Sequence, residues 1–134
     1  MTENMTKWLQ TFPQWQGSLR LDQLDGLPGS AGLYPKGITE IFRREDVQGN
    51  VQVRCRCDFI LRIATVGEQA RWLLDFQNWV AEQDRLGLAP KFGDDPKSER
   101  IGAFDGQLHS HQQTGSSVYT VVIRAEFTKI YRGE

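Results

Sequence analysis

The stretch VQVRCRCDFILRI, residues 51–63, decides the fold. Its odd positions read Val51, Val53, Cys55, Cys57, Phe59, Leu61 and Ile63, and its even positions read Gln52, Arg54, Arg56, Asp58, Ile60 and Arg62. Successive side chains of a strand point to opposite faces. A run in which only Ile60 breaks the polar half therefore predicts a long strand with one face in a core and the other in water.

Upstream, residues 38–47 are β-compatible, and Gln48-Gly49-Asn50 has the turn chemistry to join them to that strand as an antiparallel hairpin. Arg43 and Arg44 fall near the hairpin's free end. Residues 31–34 begin a strand just before Pro35, residues 26–32 form a dense Gly- and Pro-containing loop, and residues 17–24 alternate around Leu19 and Leu21. At the start, Met5, Trp8, Leu9 and Phe12 recur at steps of three and four, which predicts a helix over residues 2–12 stopped by Pro13.

Downstream, Thr65-Val66-Gly67-Glu68 matches a capping box, so a second helix is expected to begin there and to end at Gly87. Its stripe of Ala70, Leu73, Phe76 and Val80, with Trp72 and Trp79 beside it, suits either a core or a subunit interface. Residues 88–100 hold two prolines and Gly93-Asp94-Asp95-Pro96, which predicts an exposed, mobile loop. A weaker strand over 101–111, a polar turn over 112–117 and a strong strand follow. In the last, Tyr119, Val121, Ile123, Ala125 and Phe127 alternate with Thr120, Arg124, Glu126 and Thr128. The expected fold is α+β: one domain over residues 1–134, an antiparallel sheet with a long β-hairpin, and helices packed on one face.

Charge and composition narrow the function. Among 134 residues, 16 Lys and Arg face 17 Asp and Glu, a net charge of −1 that gives no excess of cations for general binding to nucleic acid. No apolar run approaches the ~20 residues that span a bilayer, and the first residues are polar, so neither a membrane span nor an export signal is expected. Cys55 and Cys57 are expected to be reduced, buried residues of a protein made in a cytoplasm.

The chain has no P-loop, no GxSxG elbow, no HExxH and no CxxC. His109 and His111 would share one face of a strand, a start for a metal site, although a pair of exposed polar residues is the simpler reading. Asp94 and Asp95 read as turn chemistry before cation ligands. Arg54, Arg56 and Arg62, with Arg43 and Arg44, form a basic stripe suited to solvent, to ion pairs between subunits or to phosphate. No catalytic residue, cofactor or metal is expected.

The order of these motifs resembles a known family. The N-terminal helix, Gly32-Leu33-Tyr34-Pro35-Lys36-Gly37, the Arg43–Arg44 hairpin and the phrase Phe76-Gln77-Asn78-Trp79-Val80-Ala81-Glu82-Gln83 are similar to small tail proteins of contractile and long-tailed phages, prophages and phage-tail-like bacteriocins, the tail terminators above all. That resemblance implies a virion protein without enzymatic activity, assembled in the host cytoplasm. It implies a homo-oligomeric ring of six copies at the head-proximal end of the tail tube. The ring would stop tube growth and join the tail to neck or head. Its partners would be copies of itself, the tube protein and sheath or neck proteins, with DNA only passing through the lumen. Arg43, Arg44, Arg54, Arg56, Arg62, Trp72 and Trp79 are the candidate subunit or partner contacts. A small metal- or ligand-binding α+β domain, or another head–tail joining protein, is the alternative.

The alternation over residues 51–63 carries a direct test. Thiol reagents should label Cys55 and Cys57 of the native protein slowly and both residues rapidly after denaturation; rapid labelling of the native protein would mean that the faces are exchanged.

Overall fold

The computed structural model describes residues 1–15, 17–22, 29–66, 70–111 and 116–133. It is an α+β fold. Helix α1 spans Thr2–Leu9, strand β1 Ser18–Leu21, β2 Ser30–Glu45 and β3 Val51–Val66. Helix α2 spans Ala70–Leu86, followed by a 3-10 turn at Pro96–Ser98, β4 at Arg100–His111 and β5 at Ser116–Tyr131. The strands form one five-stranded sheet in the order β1-β2-β3-β5-β4.

Strand β3 lies at its centre, paired with β5 from Val51↔Tyr131 to Val66↔Ser116 and with β2 from Ala31↔Ile63 to Glu45↔Val51. The odd residues Val53 to Ile63 are buried and the even ones are half-exposed, as the alternation requires. The odd face of β5 continues the same layer through Tyr119, Val121, Ile123, Ala125 and Phe127. Both helices close over this face, and one cluster joins Met5, Trp8, Leu9 and Phe12 to Trp72, Leu73, Phe76 and Val80 and to the strands beneath. Phe59, Phe76 and Phe127 are its largest fully buried side chains, each worth about 1.5–3 kcal/mol in transfer from water. Burial pushes the Cys57 thiol above its ordinary value, with the Asp58 carboxylate adding to the shift.

Several elements differ from their sequence-based expectation. The sheet is mixed rather than antiparallel throughout, because β1 runs parallel to β2 from Ser18↔Ser30 to Leu21↔Leu33. Strand β2 is continuous through Pro35: the missing N–H falls just beyond the reach of β1, and a register shift between Pro35 and Ile38 absorbs the kink. Helix α1 ends at Leu9, and turn bonds from Thr11 N–H to Trp8 O and from Phe12 N–H to Leu9 O keep Phe12 on the buried side. Thr65 belongs to β3, and its hydroxyl donates to Ser117 O at 3.4 Å. Gly67 and Glu68 of the expected capping box lie outside the described residues, as do residues 26–28 of the expected loop and 112–115 of the expected turn.

The hairpin turn is built by Asp46, whose carboxylate accepts the N–H of Gln48 at 2.9 Å and of Asn50 at 3.0 Å. Gly49, at φ 82, supplies the left-handed position that a side chain would strain.

Residues 88–100 form a tethered segment rather than a loose loop. Ala89 is buried, Phe92 packs edge-on against Phe127 at 6.1 Å, and Glu99 accepts the N–H groups of Phe92 and Gly93. Asp94 N–H donates to Thr128 O at 2.8 Å, and the Asp94 carboxylate accepts Ile130 N–H at 2.8 Å. These bonds cover the edge of β5 beyond the start of β4. Gly93 is required there, since a Cβ would collide with the Thr128 carbonyl.

Phe59→Ala should destabilise the monomer by about 3–5 kcal/mol in chemical denaturation, whereas Phe42→Ala, 58 % exposed on β2, should cost no more than about 0.5 kcal/mol. Equal costs would contradict this placement of the core.

Candidate functional site

The register of β3 brings four candidate arginines to one side of the sheet. Arg44 opposes Gln52, and Arg54, Arg56 and Arg62 follow along β3 on the face away from the helices. Arg43 opposes buried Val53 and so points to the helix side. The helix-free face also carries an arginine that sequence reasoning recorded only as one of the polar residues of its strand, Arg124 of β5. It lies directly across from Asp58 and donates to both carboxylate oxygens, at 2.9 and 3.0 Å. Recognising it required the cross-strand register, which periodicity within one strand does not contain.

One row of this face crosses four strands without a charge: Tyr34, Ile60, Val122 and Phe104. Arginines cap both ends. The Arg62 guanidinium sits 4.9 Å from the Tyr34 ring centre and that of Arg124 4.6 Å from the Phe104 ring centre, contacts that hold planar cations flat on an apolar band. Ile60, the residue that broke the polar alternation of β3, is the middle of this band. Arg56 pairs with Glu126 at 3.6 Å, and Arg54 donates to Ser98 Oγ at 3.3 Å and Thr128 Oγ1 at 3.1 Å. Among the described residues, Arg54 and Arg62 have no carboxylate partner. At the hairpin end Arg43 pairs with Glu40 at 2.7 Å, and Arg44 donates to Gln52 at 3.2 Å.

The tryptophans divide. Trp72 is a core residue rather than an exposed contact: it is buried, stacks on Phe76 at 5.3 Å and donates its ring N–H to Gln14 O at 3.0 Å. Trp79 lies half-buried at the rim, stacked on Trp8 at 4.8 Å, while Trp8 donates to Gln83 at 3.0 Å.

His109 is exposed on β4, and the side chain of His111 lies outside the described residues. Cys55 and Cys57 face the helix-covered core. Among the described residues, no group of three or more His, Cys, Asp or Glu is placed to hold a metal ion, and no helix is long and apolar enough to cross a membrane. Among the described residues, two enclosed hollows, one beside Trp15 and Trp72 and one beneath Pro90 and Phe92, each hold about 10 Å³. That is room for a single water at most. No family model and no curated protein matches the chain.

The hydrogen bonds from Arg124 hold the Asp58 carboxyl below its ordinary value of 3.8. A lowered value in the folded state means that the pair stabilises the fold above pH 3.8 and that this contribution is lost as pH falls through the lowered folded value. Both side chains are partly exposed, so the neutral-pH loss in Asp58→Asn should stay within about 1 kcal/mol. Unfolding measured against pH should show the gap between Asp58→Asn and the unmodified protein closing below pH 3.8. A gap constant with pH would contradict the ion pair.

Proposed function

We propose that the chain is a structural subunit of a phage-type tail, the terminator that forms a ring on the last ring of the tail tube, stops its growth and joins the tail to neck or head. The motif order of the sequence suggests the family. The observation that carries the reading is where the uncommitted chemistry lies. It is spread over surfaces, a helix-free sheet face with Arg54 and Arg62 unpaired by carboxylates and an outer half of β2 with exposed Ile38, Ile41 and Phe42, while the enclosed hollows are too small for a substrate. Large, mixed polar and apolar surfaces are what protein assembly uses.

In this reading the partners are further copies of the chain, six to a ring, the tube protein, and sheath or neck proteins. The protein resides in the virion tail, or in a phage-tail-like particle, and meets DNA only as it passes through the lumen. A nucleic-acid binder is a weaker reading of the same face, because Asp58 and Glu126 stand among its arginines and would repel phosphate.

A particle-producing strain lacking this gene should make tails of irregular length, and the gene supplied in trans should restore uniform length by electron microscopy. Arg54→Glu together with Arg62→Glu should leave the circular dichroism spectrum intact yet weaken docking, by about 2–5 kcal/mol for each buried pair reversed. Uniform tails without the gene would exclude the terminator role. Uniform tails with the double variant would exclude this face as the docking surface.

A further inference from the structure

Sheet edges expose unpaired backbone groups, and this fold covers most of its own. Strand β1 covers the inner end of β2. Asp94 covers the edge of β5 past the start of β4. Helix α2 covers the first half of β4, where Gln77 donates to Ala103 O at 3.3 Å and Asp84 accepts Ile101 N–H at 2.9 Å. The outer half of β2 is different. From Gly37 to Glu45 it has β3 on one side and no described strand on the other, and it exposes Ile38 (58 %), Ile41 (40 %) and Phe42 (58 %). A long edge with large exposed apolar side chains is a site for pairing with another chain.

The opposite edge of the sheet carries its counterpart. Between α2 and β4 runs an open groove of about 390 Å³ lined by Leu73, Leu74, Gln77, Gly106, Leu108 and Tyr119, with Leu74 and Leu108 exposed. It opens where β4 shifts register between Phe104 and Gln107, at Asp105 with φ 55, a bulge that bends the strand. Charge matches as well. Among the described residues Arg44 at the hairpin bonds Gln52 and no carboxylate, and exposed Asp105, next to groove-lining Gly106, is in no ion pair, although its charge acts on Arg124.

We infer that the outer half of β2 docks into the α2–β4 groove of a second copy of this chain, Ile41 and Phe42 entering between Leu74 and Leu108 with Arg44 toward Asp105. The two surfaces lie on opposite edges of one sheet, so the contact is head-to-tail. Each copy uses its hairpin on one neighbour and offers its groove to the other, and such a contact closes into a ring when the rotation between copies permits. The inference rests on the ring reading and names its joint.

The test uses the full chain and two variants, Phe42→Lys at the hairpin and Leu74→Arg at the groove, with mass measured by light scattering. Both positions are exposed, and near-ultraviolet circular dichroism checks that each variant keeps its tertiary packing. Ile38→Lys and Leu108→Lys provide independent replicates at the two surfaces. The unmodified protein should assemble, and either substitution should weaken self-association about tenfold or more. Mixed in equal amounts, the two variants should form a one-to-one heterodimer, because Phe42→Lys retains its groove and Leu74→Arg retains its hairpin. Assembly of either folded variant like the unmodified protein overturns the joint while the ring reading stands. A mixture that stays monomeric also overturns the joint. An unmodified protein that is monomeric even in concentrated solution overturns both.

Discussion

Strand β3 is paired with β5 along its whole length and with β2 along nearly all of it, and both pairings hold it in one register. A slip of one residue would turn Phe59 and Leu61 out to water and carry Arg56, Asp58 and Arg62 into the layer beneath the helices. The cost of burying those charges unpaired is several kcal/mol each, far more than a small domain can lose. Everything else follows from this one choice of face. The helices must lie where the odd side chains are, Arg124 must meet Asp58, and the row from Tyr34 to Phe104 must form on the side left bare. The function proposed for the chain is thus set by the same constraint that folds it.

That constraint was readable in the sequence because it is local. The alternation of residues 51–63 needs no partner to be seen, nor does that of Tyr119 to Phe127, nor the apolar stripe from Leu73 to Val80. Pairing is not local, and this is where expectation and structure part. Pro35 separates two β-compatible stretches in the sequence, yet they form one strand, because a proline at an edge beside a register shift is tolerated. The parallel placement of β1 depends on what it lies beside rather than on its own four residues. Residues 88–100 read as exposed because they are rich in charge and proline, but Asp94 and Glu99 spend that charge on backbone N–H groups of the chain itself. The candidate surface was legible in half: Arg54, Arg56 and Arg62 follow from the alternation, while Arg124 and the band ending in Tyr34 and Phe104 require knowledge of which strands are neighbours. Trp72 shows the converse. An aromatic residue on a helix suits a core and an interface equally, and only the position of Phe12 and Phe76 around it decides for the core.

The contrast between covered and bare edges links the fold to the proposed assembly. Covering the β5 edge requires the close approach of Gly93 to Thr128 and the Asp94 clamp, and covering β4 engages Gln77 and Asp84 of α2. The outer half of β2 receives no such cover among the described residues, and it exposes Ile38, Ile41 and Phe42 beside the charged Glu40, Arg43, Arg44 and Glu45. A subunit whose neighbour completes it has reason to leave one edge bare. The helix-free face, with cations lying flat on aromatic rings and some guanidinium N–H groups without acceptors, is then available for a different partner, such as the end of the tube.

Hydrogen exchange of the backbone amides, followed residue by residue in dilute and in assembled protein, bears most directly on this account. The outward-facing amides of residues 37–45, those not bonded to β3, should exchange fast in the dilute protein and become strongly protected on assembly, while those in the centre of β3 are protected in both. Outward-facing amides of residues 37–45 that exchange equally fast in the assembled particle would contradict it.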